Sequence, residues 1–337
     1  MRGAAASMRR QRNITIGLLC ILGLLYLVSA KRNTTSGASG QENATGMSEA
    51  KHGELSAALR IDIDEGGVAQ LPPPSDEYKD TDTLILVPGH GVFRGLNAQD
   101  WSREDLWGLE PFQQGFDGFL IKAFSQHIKR SLEELKGRGM QRSVVVFSGG
   151  QTKRAGPRSE GLSYYILAEA NNLFGVFGDD TDAKTEVLMS RLFAEEFARD
   201  SYENLLFSIC RYYEVVGRYP SKIVVVNWEY KRERFQQYHR AAVRWPMAQF
   251  EYIGIVMRDA AAMLGLEVPQ SMRSLSDAGT LKRVREDLYL CKVNSQLRVD
   301  RNPQRRVIPY LQSNPTLRKL LLHCGPDLFD EKLLPWG

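Results

Sequence analysis

From residue 81 onward, short apolar runs alternate with longer stretches in which apolar residues recur every three or four positions. Thr83–Val87 (TLILV) is a continuous apolar run stopped by Pro88-Gly89, the pattern of a strand buried on both faces. In the next stretch Phe116, Phe119, Ile121, Phe124, Ile128, Leu132 and Leu135 predict a helix. Ser143–Phe147 (SVVVF) predicts a second strand and Ser159–Asn172 a second helix. A third strand is expected at Arg191–Glu196, followed by a helix whose stripe runs through Leu205, Ile209, Tyr212 and Val216. Lys222–Val226 (KIVVV) predicts a fourth strand. Phe235, Tyr238, Ala242 and Trp245 line the helix after it, and Phe250–Val256 predicts a fifth strand. Strand alternating with helix over short loops predicts an α/β domain at 81–270: a Rossmann-like three-layer sandwich with a mostly parallel sheet. Residues 271–337 read as an appendage packed on that domain, helical around Leu281–Leu290 and then broken by Pro303, Pro309, Pro315 and Pro326.

The first eighty residues follow a different pattern. Residues 14–30 (ITIGLLCILGLLYLVSA) are uncharged and strongly apolar, which predicts an N-terminal transmembrane signal anchor at the short end of the usual length. Residues 1–13 form a basic arm, and its arginines place that arm in the cytosol and the body across the membrane. Two alternatives remain open. Val28-Ser29-Ala30 suits signal-peptide cleavage and a secreted protein, and the arginine-rich start, free of acid until Glu42, suits a mitochondrial presequence. Sequons at Asn33 and Asn43 favour the secretory route (endoplasmic reticulum or Golgi) and a glycosylated stem at 31–80, low in aromatics and ending in Pro72-Pro73-Pro74.

Charge and cysteines narrow the classes. The net charge is +4, and Arg2, Arg9, Arg10 and Arg12 account for it: of 44 basic residues 40 remain, against 40 acidic ones. A nucleic-acid partner is not expected of a body without basic excess. Cys20, Cys210, Cys291 and Cys324 form no C-x-x-C pair, so a zinc or thioredoxin-like site has no support. Cys291 and Cys324 can pair in an oxidising lumen; the alternative is three buried thiols. No G-x-G-x-x-G, Walker, G-x-S-x-G or H-E-x-x-H motif occurs in the body, and neither a cofactor nor a metal is indicated.

Ligands of open parallel sheets bind beyond the carboxyl ends of the strands. The first such end offers Gly89 and His90. The second offers Ser148, Gly149, Gly150, Arg154 and Glu160. The third offers Glu196, Ser201 and Asn204, and the fourth Asn227, Lys231 and Arg234. Glycines free the backbone to approach a ligand, and arginines suit phosphate or carboxylate. Glu160, Glu196 and His90 are the acid–base candidates. Asp200 and Glu203 have the spacing of a capping box, and Arg234 can pair with Glu160 or Glu196.

These four clusters, in this order, resemble the YdcF/SanA-like family, known as domain of unknown function 218. Ser148-Gly149-Gly150 and Ser159-Glu160 match its second element. Glu196, Asp200, Ser201, Glu203 and Asn204 match an E-x-x-S-x-[ND]-[ST]-x-E-N segment, with Arg199 in place of the serine. Val226, Tyr230 and Arg234 match V-T-S-x-[YF]-H-x-x-R, with Asn227-Trp228 for Thr-Ser and Lys231 for the histidine. The resemblance covers about Thr81 to Val256 and is to the membrane-anchored eukaryotic branch. It implies a Rossmann-like fold, an N-terminal hydrophobic tether and a largely unassigned activity. Any mechanism that needs the family histidine cannot run unchanged here.

Three functions follow as expectations. The first is a lumenal domain binding an anionic small molecule, phosphorylated or nucleotide-derived, with amides from Gly89, Gly149 and Gly150, charge from Arg154, Lys231 and Arg234, and Glu160, Glu196 and Asn204 orienting it. The second is a transferase or hydrolase of glycans or lipid-linked sugars. Asp62-Ile63-Asp64 and Asp180-Thr181-Asp182 both fall away from strand ends, which argues against a metal-dependent glycosyltransferase. The third is a non-enzymatic membrane assembly factor.

Overall fold

Five strands form one all-parallel sheet: β1 (Thr83–Pro88), β4 (Ser143–Ser148), β5 (Leu192–Glu195), β6 (Lys222–Trp228) and β7 (Phe250–Ile255); β1, β4 and β6 are buried almost throughout, β5 and β7 in part. The structure, a computed structural model, describes residues 71, 73–273 and 276–336. The expected basic arm, membrane anchor and nearly all of the stem lie outside the described residues, and among the described residues no helix is long and apolar enough to cross a membrane.

The spatial order is β5-β4-β1-β6-β7. The chain therefore moves outward from β1 in one direction, returns, and continues from β6 in the other. β1 pairs with β4 through Thr83–Ser143 to Pro88–Ser148 and with β6 through Thr83–Lys222 to Leu86–Val225, all parallel. The reversal between β1 and β6 leaves a crevice above their carboxyl ends, because the connections leave in opposite directions.

Strand residues alternate between two cores. Leu84, Leu86, Val144, Val146, Ile223 and Val225 face one side. There they meet α4 (Ser201–Val216), Phe235, Ala242 and Trp245, and the tail residues Tyr289, Leu290, Tyr310 and Leu320. Ile85, Val87, Val145, Phe147, Val224 and Val226 face the other side, against α1 (Phe119–Arg138), α2 (Glu160–Ala170) and α6 (Met257–Met263). Helices on both faces make three layers, the Rossmann-like arrangement.

Local chemistry fixes the helix ends. Gly118 and Gly139 bracket α1 at φ 72° and 95°, values that a side chain disfavours. Ser159 caps α2 by accepting from Leu162 N, and Asp200 caps α4 by accepting from Glu203 N. α3 (Thr181–Glu186) is capped by Asp180, so that acidic triplet serves a helix start.

Two features depart from the sequence pattern. The loop after β1 contains a two-stranded antiparallel ladder, β2 (Val92–Phe93) with β3 (Trp107–Gly108), held by Phe93 and Trp107 with ring centroids 5.4 Å apart. The segment after β6 is no uniform α-helix: π-helical turns at Arg234–His239 lead into the short α5 (Arg240–Ala242), which stops at Arg244 with φ 56°. In the tail, α7 (Ala278–Glu286) and α8 (Ser295–Asp300) are followed by short turns. Cys291 and Cys324 are disulfide-bonded with Cα atoms 5.8 Å apart, and Cys210 is a buried free thiol, so the alternative of three buried thiols does not hold.

Candidate functional site

A cleft of about 290 Å³ opens where β1 and β6 end. β1 delivers Gly89 and His90, the turn after β4 delivers Thr152 and Lys153, and α2 delivers Glu160. The α4 terminus contributes Arg199, Asp200, Ser201 and Asn204, and β6 with its following turns contributes Asn227, Lys231 and Arg234. From further off come Glu110, Asp277, Arg283 and Arg301. Six basic lining residues (Lys153, Arg199, Lys231, Arg234, Arg283, Arg301) face four carboxylates (Glu110, Glu160, Asp200, Asp277), an excess of two positive charges when Lys231 is protonated and of one when it is neutral.

His90 and Lys231 meet across the gap between β1 and β6. The Lys231 amine donates to His90 Nε2 at 2.8 Å, and His90 Nδ1 lies 3.2 Å from the Tyr164 hydroxyl. Burial, then the neighbouring Lys231 and His127, drive the His90 pKa well below that of an ordinary imidazole, so the ring is neutral. A neutral ring fits an Nε2 that accepts. Burial and the adjacent Arg234 lower the Lys231 pKa to about 7. The imidazole comes from the end of β1 and the amine from the turn after β6.

Arg234 is buried and pairs with Asp277 at 3.1 Å, not with Glu160 or Glu196. The partner comes from the tail, 43 residues downstream, a pairing that sequence adjacency does not signal. Its Nε has no partner, and neither has the Asn227 Nδ2. Both residues line the cleft, as does Arg301, whose Nε is likewise buried and without a partner.

Several expected ligands are placed elsewhere. Gly89 N donates to Ser148 O at 2.7 Å, Gly149 N to Glu195 O at 3.0 Å and Gly150 N to Ala198 O at 2.7 Å, so the three glycine amides are committed internally. Their role is steric: a Cβ on Gly89 would sit 2.6 Å, and one on Gly149 2.8 Å, from Glu160 Cβ. Arg154 is exposed and lines a separate surface depression; the neighbouring Lys153 enters the cleft and pairs with Glu110. Ser148 is buried beneath the floor, donating to Glu195 Oε2 at 2.7 Å and lying 2.9 Å from Asn204 Oδ1.

Glu196 lies outside this cleft and accepts from Ser159 Oγ at 2.8 Å. The carboxyl at the inner end of β5 is Glu195, fully buried, with Ser148, Tyr310 and the amides of Phe197 and Ala198 around it. Burial raises its pKa to about 7 against the pull of those donors. Counted back from Asn204, the ten-residue E-x-x-S segment begins at Glu195 and puts Ala198, not Arg199, at the serine position. The register slips by one, and on a strand one position changes the face.

Asp200 does more than cap. Its second oxygen accepts from Arg298 Nε at 2.7 Å, and Glu203 binds Arg199 N and its guanidinium instead of closing a reciprocal box. Burial pushes the Asp200 carboxyl up, but Arg298 outweighs it and leaves the group below its usual range. Ser201 Oγ lies 2.8 Å from Nε2 of the buried His239, a residue that sequence reading passes over because it falls within an ordinary helical stripe. Among the described residues no group of three or more His, Cys, Asp and Glu side chains gathers as a metal site.

An uncharacterized protein of Saccharomyces cerevisiae, YOR238W, is distantly homologous: it is 29% identical over 266 residues, which cover 68% of this chain and 86% of the yeast protein. No family model matches the chain, and no solved structure matches it.

Proposed function

We propose that the cleft between the ends of β1 and β6 binds an anionic small molecule, phosphorylated or nucleotide-derived. The observation that carries this reading is the pairing of a cationic excess with three buried donors without partners on lining residues, Asn227 Nδ2, Arg234 Nε and Arg301 Nε. A buried donor without a partner costs roughly 1–3 kcal/mol, and a ligand oxygen relieves that cost. The volume is at the lower end of the roughly 300–1,000 Å³ range for small-molecule sites, which favours a compact ligand over a lipid-linked sugar. Phe112, 66% exposed on the rim, offers an aromatic face to an apolar or base-like portion.

The reading extends to place and kinship. The body lies on the lumenal side of a secretory membrane, tethered by residues 14–30. The Cys291–Cys324 bond supports this, because disulfides persist in oxidising compartments. Kinship to the YdcF/SanA-like family is supported by the Rossmann-like sheet and by the way its strand-end segments converge on one cleft.

Calorimetric titration of the purified chain with pyrophosphate and with ADP tests the binding. Saturable binding is expected, and Arg234→Lys should weaken it by roughly 1–3 kcal/mol, the scale of a charged hydrogen bond. Heats indistinguishable from dilution for both ligands at millimolar concentration would overturn the reading.

A further inference from the structure

We infer that Ser201 is a nucleophile and His239 its general base, so that the cleft hydrolyses a carboxylic ester of its anionic ligand through a covalent Ser201 intermediate. The inference rests on the reading of the cleft as an anion site and adds a reaction to it.

Four observations converge. The Ser201 hydroxyl is 2.8 Å from His239 Nε2, within reach for proton transfer. Ser201 is the first residue of α4, half-buried and lining the cleft, whereas the imidazole behind it is fully buried. The ring is held by Phe235 and Tyr202, with centroids 5.3 and 6.0 Å away, while its Nδ1 has no partner. Burial, with Arg234 adding to it, lowers the His239 pKa to about 3, so the resting imidazole is neutral and its Nε2 is free to accept, while the same burial raises the cost of the imidazolium that the step forms.

The surroundings suit the charge that develops. A tetrahedral oxyanion needs donors with no competing partner, and two residues lining the same cleft carry such donors, buried in the resting structure: Asn227 Nδ2 and Arg234 Nε. The amino end of the sixteen-residue α4 adds a positive partial charge beside Ser201. The π-helical turns at Arg234–His239 give a reason for the local geometry: widened winding carries Arg234, Phe235 and His239 inward together.

The step balances without a co-reactant other than water. Ser201 Oγ bonds to the ester carbonyl carbon while its proton moves to His239 Nε2. The tetrahedral intermediate collapses, and the alcohol leaves with that proton. His239 then takes a proton from water, whose oxygen attacks the acyl-serine; the carboxylic acid departs and Ser201 regains its hydrogen.

A fluorophosphonate probe tests the assignment. The purified full chain is incubated with it, the adduct is located by peptide mass spectrometry, and pyrophosphate binding is measured in parallel by calorimetry. The expected result is one adduct on Ser201, no adduct in a Ser201→Ala protein of unchanged melting temperature, and labelling slowed by about 100-fold or more in His239→Gln. No adduct on Ser201 in wild-type chain that binds pyrophosphate would overturn the nucleophile and leave the anion site standing. An adduct without pyrophosphate binding would retain the nucleophile and overturn the anion reading. Neither signal in folded protein would overturn both.

Discussion

Lys231 owes its weakened basicity to its neighbours. It is covered on the inside, has Arg234 on the next turn, and hydrogen-bonds to a neutral imidazole instead of a carboxylate. A pKa near 7, down from the ordinary 10.5, means the amine is charged below that pH and largely neutral above it. An anion favours the charged form, so binding at pH 8 should draw a proton onto Lys231, and affinity should fall as pH rises through 7. Titration at pH 8 in two buffers of different ionisation enthalpy measures this uptake. Lys231→Met should take up less by up to one proton, and equal uptake in both proteins would remove Lys231 from the ligand. At this scale the sequence is only half informative. Gly89, His90 and Asn227 are legible because they directly follow apolar runs, and Glu160, Lys231 and Arg234 because they lie in the polar segments that those runs lead into. Asp277, Arg298 and Arg301 are not, because only folding brings the tail beside them.

Elements were easier to read than residues. The three central strands β4, β1 and β6 each contain six consecutive residues buried by helices on both faces, and that burial writes an unbroken apolar run, whereas the edge strands β5 and β7 are only partly buried. β2 and β3, two residues each, leave no period to detect. Nor does periodicity distinguish the π-helical turns of Arg234–His239 from an α-helix, since an amphipathic stripe survives the change. What the pattern also conceals is the closeness of α2 to the sheet. A Cβ on Gly161 would stand 2.4 Å from Phe147 O and 2.6 Å from Glu195 O, both backbone atoms of adjacent strands. Gly161→Ala should therefore cost roughly 1–3 kcal/mol or more by forcing α2 outward. Gly137, in α1 with open space around its Cβ position, is the control: Gly137→Ala should stabilise by up to about 1 kcal/mol. Thermal melts of the two proteins should shift in opposite directions, and a neutral Gly161→Ala would show that the helix stands off the strands.

For the molecule as a whole, the tail completes what the sheet begins. Tyr289, Leu290, Tyr310 and Leu320 pack on the core beside α4, and Arg298 and Arg301 reach Asp200 and Glu110 at the cleft. The Cys291–Cys324 bond closes a loop of 33 residues within that tail. Loop closure of this length stabilises by about 3–4 kcal/mol in the chain-entropy account. Cys291→Ser with Cys324→Ser should lower the melting temperature accordingly, and a reductant should do the same to wild type. A double variant that melts with wild type under oxidising conditions would show the bond to be absent or without effect.

The Glu110–Arg301 contact joins positions 191 residues apart. During translation the carboxylate emerges long before its guanidinium, at about 5–20 residues per second on the order of 10 to 40 seconds earlier. Before that wait ends the five strands can assemble, since β7 ends at Ile255, and Lys153 is there to pair with Glu110, while the mouth of the cleft still lacks Asp277, Arg283 and Arg301. A nascent chain of this protein is thus for some seconds a finished sheet with an unfinished pocket, a form that a stalled ribosome would hold for inspection.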